Sequence, residues 1–156
     1  MATYLVTGAA GFIGFETCRQ LLEADHQVVG VDNMNDYYDV RLKEHRLEFL
    51  QSENFTFYRM DIENLEEVQK IFDKHDFDAV INLAARAGVR YSMENPFVYA
   101  TTNFNATLNL LECMRHKGVK KMSLASTSSL YAGQEMPFTE SLPVNTPISP
   151  YAASKK

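Results

Sequence analysis

The stretch TGAAGFIG places glycines at positions 8, 11 and 14, directly after a run of β-favouring residues. A helix-favouring segment follows without a break, so the glycines occupy a turn from a strand into a helix. Gly8 allows a tight turn, Gly11 leaves backbone N–H groups at the helix start open to an anion, and Gly14 allows the helix to pack closely on the strand. This turn is typical of the first unit of a dinucleotide-binding α/β sheet, although similar glycines also occur in plain turns.

Short β-rich segments alternate with longer amphipathic segments along the whole chain, which predicts parallel strands joined by crossover helices. We therefore expect an α/β fold with a Rossmann-like, doubly wound parallel sheet in one domain over residues 1–156. The predicted strands are Tyr4–Thr7, Gln27–Asp32, Phe55–Met60, Ala79–Leu83 and Lys121–Ala125, and the predicted helices are Phe12–Ala24, Val40–Ser52, Leu65–His75 and Pro96–Lys117.

The helix predicted at Pro96–Lys117 has the clearest boundaries. Asn95 is expected to cap its start and Gly118 to end it. An apolar stripe recurs along it at helical spacing and is expected to pack on the sheet rather than in a partner's groove. The stripe consists of Phe97, Phe104, Leu108 and Leu111.

Composition excludes several classes of function. A formal net charge of -5 and an isoelectric point near 5.3 argue against binding to nucleic-acid phosphates, which requires clustered Lys and Arg. Cys18 and Cys113 fall in predicted helices, have no nearby partner in sequence, and are expected to be buried free thiols. The chain shows no signal-peptide pattern, no apolar run of membrane length and no metal-ligand spacing among its histidines. We therefore expect a cytoplasmic protein without a metal, nucleic-acid or membrane partner.

Asp32 ends the second predicted strand, 18 residues after Gly14. A carboxylate at this position can accept hydrogen bonds from an adenosine ribose and repels a 2′-phosphate. No Arg or Lys occurs between Asp32 and Arg41. The pattern predicts NAD rather than NADP as the cofactor, the alternative being that Asp32 is a solvated loop acid.

Further candidate residues follow the other strands. The carboxyl ends of parallel strands meet at one edge of the sheet, where open α/β sheets bind ligands. Small residues there leave room for a cofactor close to the backbone. The residues expected at this edge are Asn33, Asp61, Ile62, Leu83, Ala84 and Ala85.

Tyr151 and Lys155 lie four residues apart and share one face of a helix that begins at Pro150. A tyrosine has an ordinary pKa of about 10, so it needs a nearby ammonium to act as a base at neutral pH. The hydroxyl cluster that includes Thr127 leaves the same sheet edge and can hold a substrate oxygen. Taken alone, the hydroxyl cluster is also compatible with turn chemistry, and the Tyr-Lys pair with a chance surface pair.

Together, TGAAGFIG, Asp32, Asp61-Ile62, NLAA, STSSLYAG and YAASK resemble the extended short-chain dehydrogenase/reductase family. Within its nucleotide-sugar 4-epimerases, DNMNDYYDVRLKEHRL and AARAGVRYSMENP resemble the UDP-glucuronate 4-epimerase branch most closely. The resemblance implies conversion of UDP-glucuronate to UDP-galacturonate through a 4-keto sugar, with tightly held NAD and no net redox change. It also implies a place in nucleotide-sugar metabolism and polysaccharide biosynthesis. A UDP-glucose 4-epimerase or a nucleotide-sugar dehydratase of the same family is the alternative.

The resemblance also implies roles for individual residues. Tyr151 would take the proton of the sugar 4-hydroxyl, Thr127 would hydrogen-bond the same oxygen, and Lys155 would tune Tyr151 and hold the nicotinamide ribose. Ser128 and Ser129 stand where related dehydratases carry Asp-Glu, which disfavours dehydration. Ala132 stands where the family usually has glycine. The remaining implied contacts are Phe12 and Ile13 to the cofactor, and Arg90, Ser92, Ser128 and Ser129 to the substrate.

Members of this family are longer, so the chain is expected to be an N-terminal part that lacks the last strands and a C-terminal substrate domain. In the full-length form, a homodimer is expected through the helix at Pro96–Lys117 and the helix that begins at Pro150. For the isolated chain we expect the Pro150–Lys156 segment to be frayed and the helix at Pro96–Lys117 to expose an apolar surface. We also expect this chain to bind NAD without turnover.

Overall fold

The computed structural model describes residues 1–156 and contains one sheet of five parallel strands. The sheet order, β3-β2-β1-β4-β5, confirms the predicted Rossmann-like α/β fold. All five predicted strands are present, and their ends differ from prediction by at most one residue. The strands are β1 (Thr3–Thr7), β2 (Gln27–Asp32), β3 (Phe55–Arg59), β4 (Ala79–Asn82) and β5 (Met122–Leu124).

The helices that connect the strands begin where the sequence predicts, but three elements differ from expectation. A short helix after β4 and a 3₁₀ turn after β5 were not predicted, and the long helix before β5 contains a π-helical segment. The helical elements are α1 (Phe12–Glu23), α2 (Val40–Phe49), α3 (Leu65–Lys74), α4 (Val89–Glu94), α5 (Phe97–Tyr99), the π segment (Ala100–Asn105), α6 (Ala106–Lys117), the 3₁₀ turn (Ser128–Tyr131) and α7 (Pro150–Ser154).

Two hydrophobic clusters cover opposite faces of the sheet, because successive residues of a strand point to opposite sides. Leu5 belongs to the larger cluster, which packs α3 and α6 on one face. Val6 belongs to the smaller cluster, which packs α1 and the end of α2 on the other face. The two cysteines are free and buried, as predicted, and burial raises the pKa of Cys18 to about 12.

The glycine turn brings β1, α1 and the end of β4 into close contact. Gly8 has a φ of +67°, and a Cβ at this position would lie 2.9 Å from the backbone nitrogen of Ala84. A Cβ at Gly14 would overlap the carbonyl oxygen of Gly8. The turn therefore requires glycine at positions 8 and 14, where a Cβ would clash with backbone atoms. The prediction that this turn connects a strand to a helix is confirmed.

The predicted packing of the stripe on Pro96–Lys117 is wrong. Phe97 is 79% exposed and Phe104 is 64% exposed, with Leu108 and Leu111 also exposed. The residues that face the sheet are Ala106, Leu110, Cys113 and Met114, which form a second helical stripe. The expected apolar surface on this helix is present. Gly118 ends the helix in the left-handed conformation as predicted, but Asn95 ends α4 instead of capping the long helix.

The predicted fraying of Pro150–Lys156 is also wrong, because α7 forms there. The Ser149 hydroxyl accepts a hydrogen bond from the backbone N–H of Ala152, and Pro150 occupies the first turn. Ala152 is fully buried where α7 packs against α4 and the long helix. Tertiary contacts and a cap thus stabilise a helix that would be marginal alone.

Candidate functional site

A pocket opens at the carboxyl edge of the sheet, above the ends of β1 to β4. We call it the strand-end pocket. It brings together nine of the residues predicted from the sequence: Gly8, Gly11, Asp32, Asn33, Asp61, Ile62, Leu83, Ala84 and Ala85. The pattern missed eight others: Val31, Asn35, Tyr37, Tyr38, Lys43, Met60, Arg86 and Thr102.

The N-terminus of α1 presents free backbone donors beside this pocket. Its N-cap is Gly11, which has no side chain to cap the helix. The amides of Phe12, Ile13 and Gly14 have no acceptor within the chain. Unpaired amides at the start of a 12-residue helix, with its positive dipole end, fit the phosphates of a dinucleotide.

Asp32 is buried at the base of the pocket and is already hydrogen-bonded. Its Oδ1 accepts from the backbone N–H of Met34 at 2.8 Å and from Lys43 Nζ at 3.1 Å. Its Oδ2 accepts from the backbone N–H of Ala10 at 3.3 Å. The carboxylate is thereby oriented by the glycine turn on one side and by α2 on the other. The solvated-acid alternative for Asp32 is wrong.

Asn33 and Asp61 connect the ends of β2 and β3. The Asn33 side-chain amide donates to Asp61 Oδ2 at 2.8 Å, and Asp61 Oδ1 accepts from the backbone N–H of Glu63 at 2.9 Å. Ile62, which follows Asp61, is buried. This chain of bonds holds one wall of the strand-end pocket in a single arrangement.

Thr7 connects the ends of β1 and β4 by hydrogen bonds in the same way. No sequence pattern identified it as a candidate site residue. Its buried hydroxyl donates to Asn82 Oδ1 at 2.6 Å and accepts from the backbone N–H groups of Leu83 and Ala84 at 3.2 and 3.1 Å. These bonds fix the backbone of the NLAA run beside Gly8, so a cofactor would meet preformed walls.

Two loops meet across the mouth of the pocket. The Tyr37 hydroxyl donates to the carbonyl of Ala87 at 3.1 Å, and the Arg86 guanidinium lies 5.6 Å from the centre of the Tyr37 ring. The hydroxyl of Tyr99, on α5, donates to the carbonyls of Ala87 and Gly88, each at 2.9 Å. The loop after β2 is thus joined to the loop after β4.

The predicted catalytic residues lie on the segments that follow β5. Lys155 Nζ donates to the carbonyl of Ala125 at 3.1 Å, and the Ser126 hydroxyl donates to the carbonyl of Lys155 at 3.2 Å. Burial lowers the pKa of Lys155. The Thr127 hydroxyl accepts from the backbone N–H of Ser129 at 3.2 Å and caps the 3₁₀ turn. The two bonds of Lys155 join the end of α7 to the start of the hydroxyl cluster, and the catalytic roles of Thr127, Tyr151 and Lys155 stay predictions.

Asn103 ties α7 to the strand-end pocket, and the sequence analysis missed it. Its side-chain oxygen accepts from the backbone N–H of Arg86 at 2.8 Å. Its amide donates to the carbonyl of Arg86 at 3.0 Å and to the Ser154 hydroxyl at 2.8 Å. Asn103 is buried within the π segment, a helix irregularity that is frequent at functional sites. The ring of Tyr151, on the same short helix as Ser154, lies 5.9 Å from that of Tyr99.

Several predicted residues lie outside the strand-end pocket. The side chains of Phe12 and Ile13 are exposed, and neither residue lines the strand-end pocket. Ser92 is fully buried and its hydroxyl donates to the carbonyl of Val89, which leaves it no surface for a substrate. Arg90 and Ser128 are exposed. No helix has the length and apolar character needed to cross a membrane.

Comparisons with known proteins match a family model and curated relatives along almost the whole chain. Residues 5–156 match the family model described as GDP-mannose 4,6 dehydratase. The chain is 59% identical to the UDP-glucuronate 4-epimerase of Thermodesulfobacterium geofontis, over 100% of this chain and 49% of that protein. The chain therefore spans about half the length of that curated relative.

Solved structures show the same fold. The UDP-glucuronic acid 4-epimerase from Bacillus cereus, in complex with UDP-glucuronic acid and NAD, matches with a TM-score of 0.85 and 37% identity, over 98% of this chain and 48% of that one. The UDP-Glc/GlcNAc 4-epimerase from Campylobacter jejuni matches with a TM-score of 0.87 and 33% identity, over 99% of this chain and 46% of that one.

Proposed function

The chain belongs to the GDP-mannose 4,6-dehydratase family of extended short-chain dehydrogenases, and on that premise we propose that it supplies the NAD-binding part of a UDP-glucuronate 4-epimerase. The observation that carries this proposal is the strand-end pocket, where free helix amides and the buried carboxylate of Asp32 converge. The 59% sequence identity, over the whole chain, to a relative named UDP-glucuronate 4-epimerase supports the choice of reaction.

The residues of the strand-end pocket suit NAD part by part. The amides at the start of α1 would bind the pyrophosphate, and Asp32 would accept a hydrogen bond from the adenosine ribose. Asp61 and Ile62, which also line the pocket, would lie beside the adenosine. Ala84 and Ala85 leave room for the cofactor to continue along β4 toward α7.

Three residues would carry the chemistry on the sugar. NAD, when bound, would accept a hydride from C4 of the sugar and return it. Tyr151 would remove the proton of the 4-hydroxyl, and Lys155, which caps the end of α7, would hold the nicotinamide ribose. Thr127 would hydrogen-bond that oxygen and hold it in line. The 4-keto sugar would then turn over, the hydride would return to C4 on the opposite face, and Tyr151 would give the proton back to O4, so the reaction changes configuration without net oxidation.

Dehydration is the less favoured reaction for this site. Ser128 and Ser129 follow Thr127 on the 3₁₀ turn, and neither side chain carries an acidic proton. Elimination of water from the sugar needs an acid and a base beside C5 and C6. We therefore propose epimerisation rather than the reaction in the name of the family model.

The proposal is tested by incubating the protein with NAD and UDP-glucuronate and identifying the products by chromatography and NMR. Formation of UDP-galacturonate by the full-length form, with loss of activity in Tyr151→Phe, is the expected result, whereas residues 1–156 alone are expected to bind NAD without turnover. UDP-glucose in place of UDP-glucuronate tests the alternative substrate. NAD binding by calorimetry with no product from the full-length form would support the binding-only function instead.

We also propose that the exposed stripe on the long helix is a contact between two copies of the protein. The support is its composition: Phe97, Phe104, Leu108 and Leu111 leave a contiguous apolar row in water, which folded proteins usually cover. Light scattering at increasing concentration is expected to show association that Phe104→Lys weakens. A strictly monomeric wild type would contradict this contact.

A further inference from the structure

Asp32 and Lys43 are the two charged side chains that the fold buries, and they face each other. Their side chains are 7% and 5% exposed, and Lys43 Nζ lies 3.1 Å from Asp32 Oδ1. Both line the strand-end pocket. Burying an ion pair is costly, so a pair placed at the wall of a binding pocket calls for an explanation beyond stability.

The carboxylate of Asp32 has few hydrogen-bond acceptor positions that are still free. An ionised carboxylate has about four acceptor positions, two on each oxygen. The N–H of Met34 and the ammonium of Lys43 occupy both positions on Oδ1, and the N–H of Ala10 occupies one on Oδ2. Asp32 therefore has one position open to a ribose hydroxyl, on Oδ2.

The ammonium of Lys43 has N–H groups that Asp32 does not use. It carries three N–H groups, of which one is directed to Asp32, and it lies 5.2 Å from the centre of the Tyr38 ring. A ribose hydroxyl next to the pair can therefore donate to Asp32 and accept from Lys43 at the same time. The nearest cation along the sequence cannot do this, because Arg41 is paired with Asp39 and its side chain is 87% exposed.

We propose that Lys43 is a second determinant of cofactor choice, so that the preference for NAD over NADP belongs to the Asp32–Lys43 pair and not to the carboxylate alone. In the pair, the carboxylate engages the cation and rejects a 2′-phosphate. Without the carboxylate, the same cation would face the 2′-phosphate and bind it. The inference rests on the proposed NAD binding.

The test is a calorimetric measurement of NAD and NADP affinity for the wild type and three variants. Asp32→Asn is expected to gain about tenfold in NADP affinity, because the freed ammonium can bond the 2′-phosphate. Asp32→Asn combined with Lys43→Met is expected to lose that gain. Lys43→Met alone is expected to lose about tenfold in NAD affinity and more in NADP affinity, because the carboxylate is left without its cation.

The matched control is Arg41→Met, which removes a cation from the first turn of the same helix and is expected to leave the ratio of NAD to NADP affinity unchanged. Thermal unfolding followed by circular dichroism shows which variants fold. If Asp32→Asn does not fold, the ratio of NAD to NADP affinity in Lys43→Met tests the proposal instead.

The outcomes separate the two proposals. A wild type that binds neither dinucleotide overturns both the proposed function and this inference. A wild type that binds NAD, with a ratio that Lys43→Met does not change, overturns the inference alone. NADP affinity gained in Asp32→Asn and kept in the double variant also overturns it, because the gain would then come from removing the carboxylate only.

Discussion

Replacing Gly14 by alanine tests the close contact between α1 and the glycine turn. An alanine in a helix interior ordinarily stabilises a protein by about 0.5–1 kcal/mol relative to glycine. Here the added Cβ would overlap the carbonyl oxygen of Gly8 and lie 2.8 Å from its carbonyl carbon and 3.0 Å from the Cα of Ala9. All of these are backbone atoms, which cannot rotate away as a side chain could.

The expected net effect is therefore destabilisation. Overpacking costs about 1–3 kcal/mol where side chains can adjust, and backbone contacts belong at the upper end of that range. Subtracting the gain in helix propensity leaves a loss of about 2 kcal/mol in the free energy of unfolding. Since α1 has to move away from the turn, its free amides move too, and NAD affinity is expected to fall about tenfold.

Urea unfolding followed by circular dichroism measures the first effect, and calorimetric titration with NAD measures the second. Gly118→Ala is the matched control: its φ of +73° strains an alanine, but no atom lies within 4 Å of the added Cβ. It is expected to cost about 1–2 kcal/mol and to leave NAD affinity unchanged. A Gly14→Ala protein that is as stable as the wild type, or more so, would refute the contact.

Three further predictions concern stability. Asn103→Ala is expected to cost about 2 kcal/mol or more, because the backbone N–H and carbonyl of Arg86 lose their partners, as urea unfolding can show. The pKa of Cys18 is raised to about 12, so the stability of the wild type relative to Cys18→Ala should be constant below pH 9 and should fall between pH 9 and 12 in a pH series. Burial lowers the pKa of Lys155, so the unfolded state binds its proton more tightly; the stability of the wild type relative to Lys155→Met should rise as the pH approaches 10.5 in the same series.

The sequence predicted the fold because the relevant signals are local. Gly8 and Gly14 stand between a strand and a helix, and Asp32 ends the next strand, so their positions follow from the chain order of a parallel sheet. Lys43 was missed because its contact with Asp32 depends on the direction in which α2 returns across the pocket. Asn103 was missed for the same reason, since its partners lie 17 and 51 residues away.

Periodicity also left one choice open that only packing decides. The long helix carries two apolar stripes, and the spacing of residues does not say which of them faces the sheet. The smaller side chains of Ala106 and Cys113 face it, whereas Phe97 and Phe104 face outward. Likewise, the length of α7 predicts a marginal helix, but its burial against the long helix and its cap at Ser149 stabilise it.

The position of β1 at the centre of the sheet has a consequence for synthesis on the ribosome. Tyr4 pairs with Val28 on one side and with Ala79 on the other. The second neighbour emerges about 50 residues after the first, which at ordinary elongation rates is about 3–10 s later. Throughout that interval the nascent chain exposes one unpaired edge of its central strand, so β1 is the segment that a ribosome-bound chaperone would have to shield.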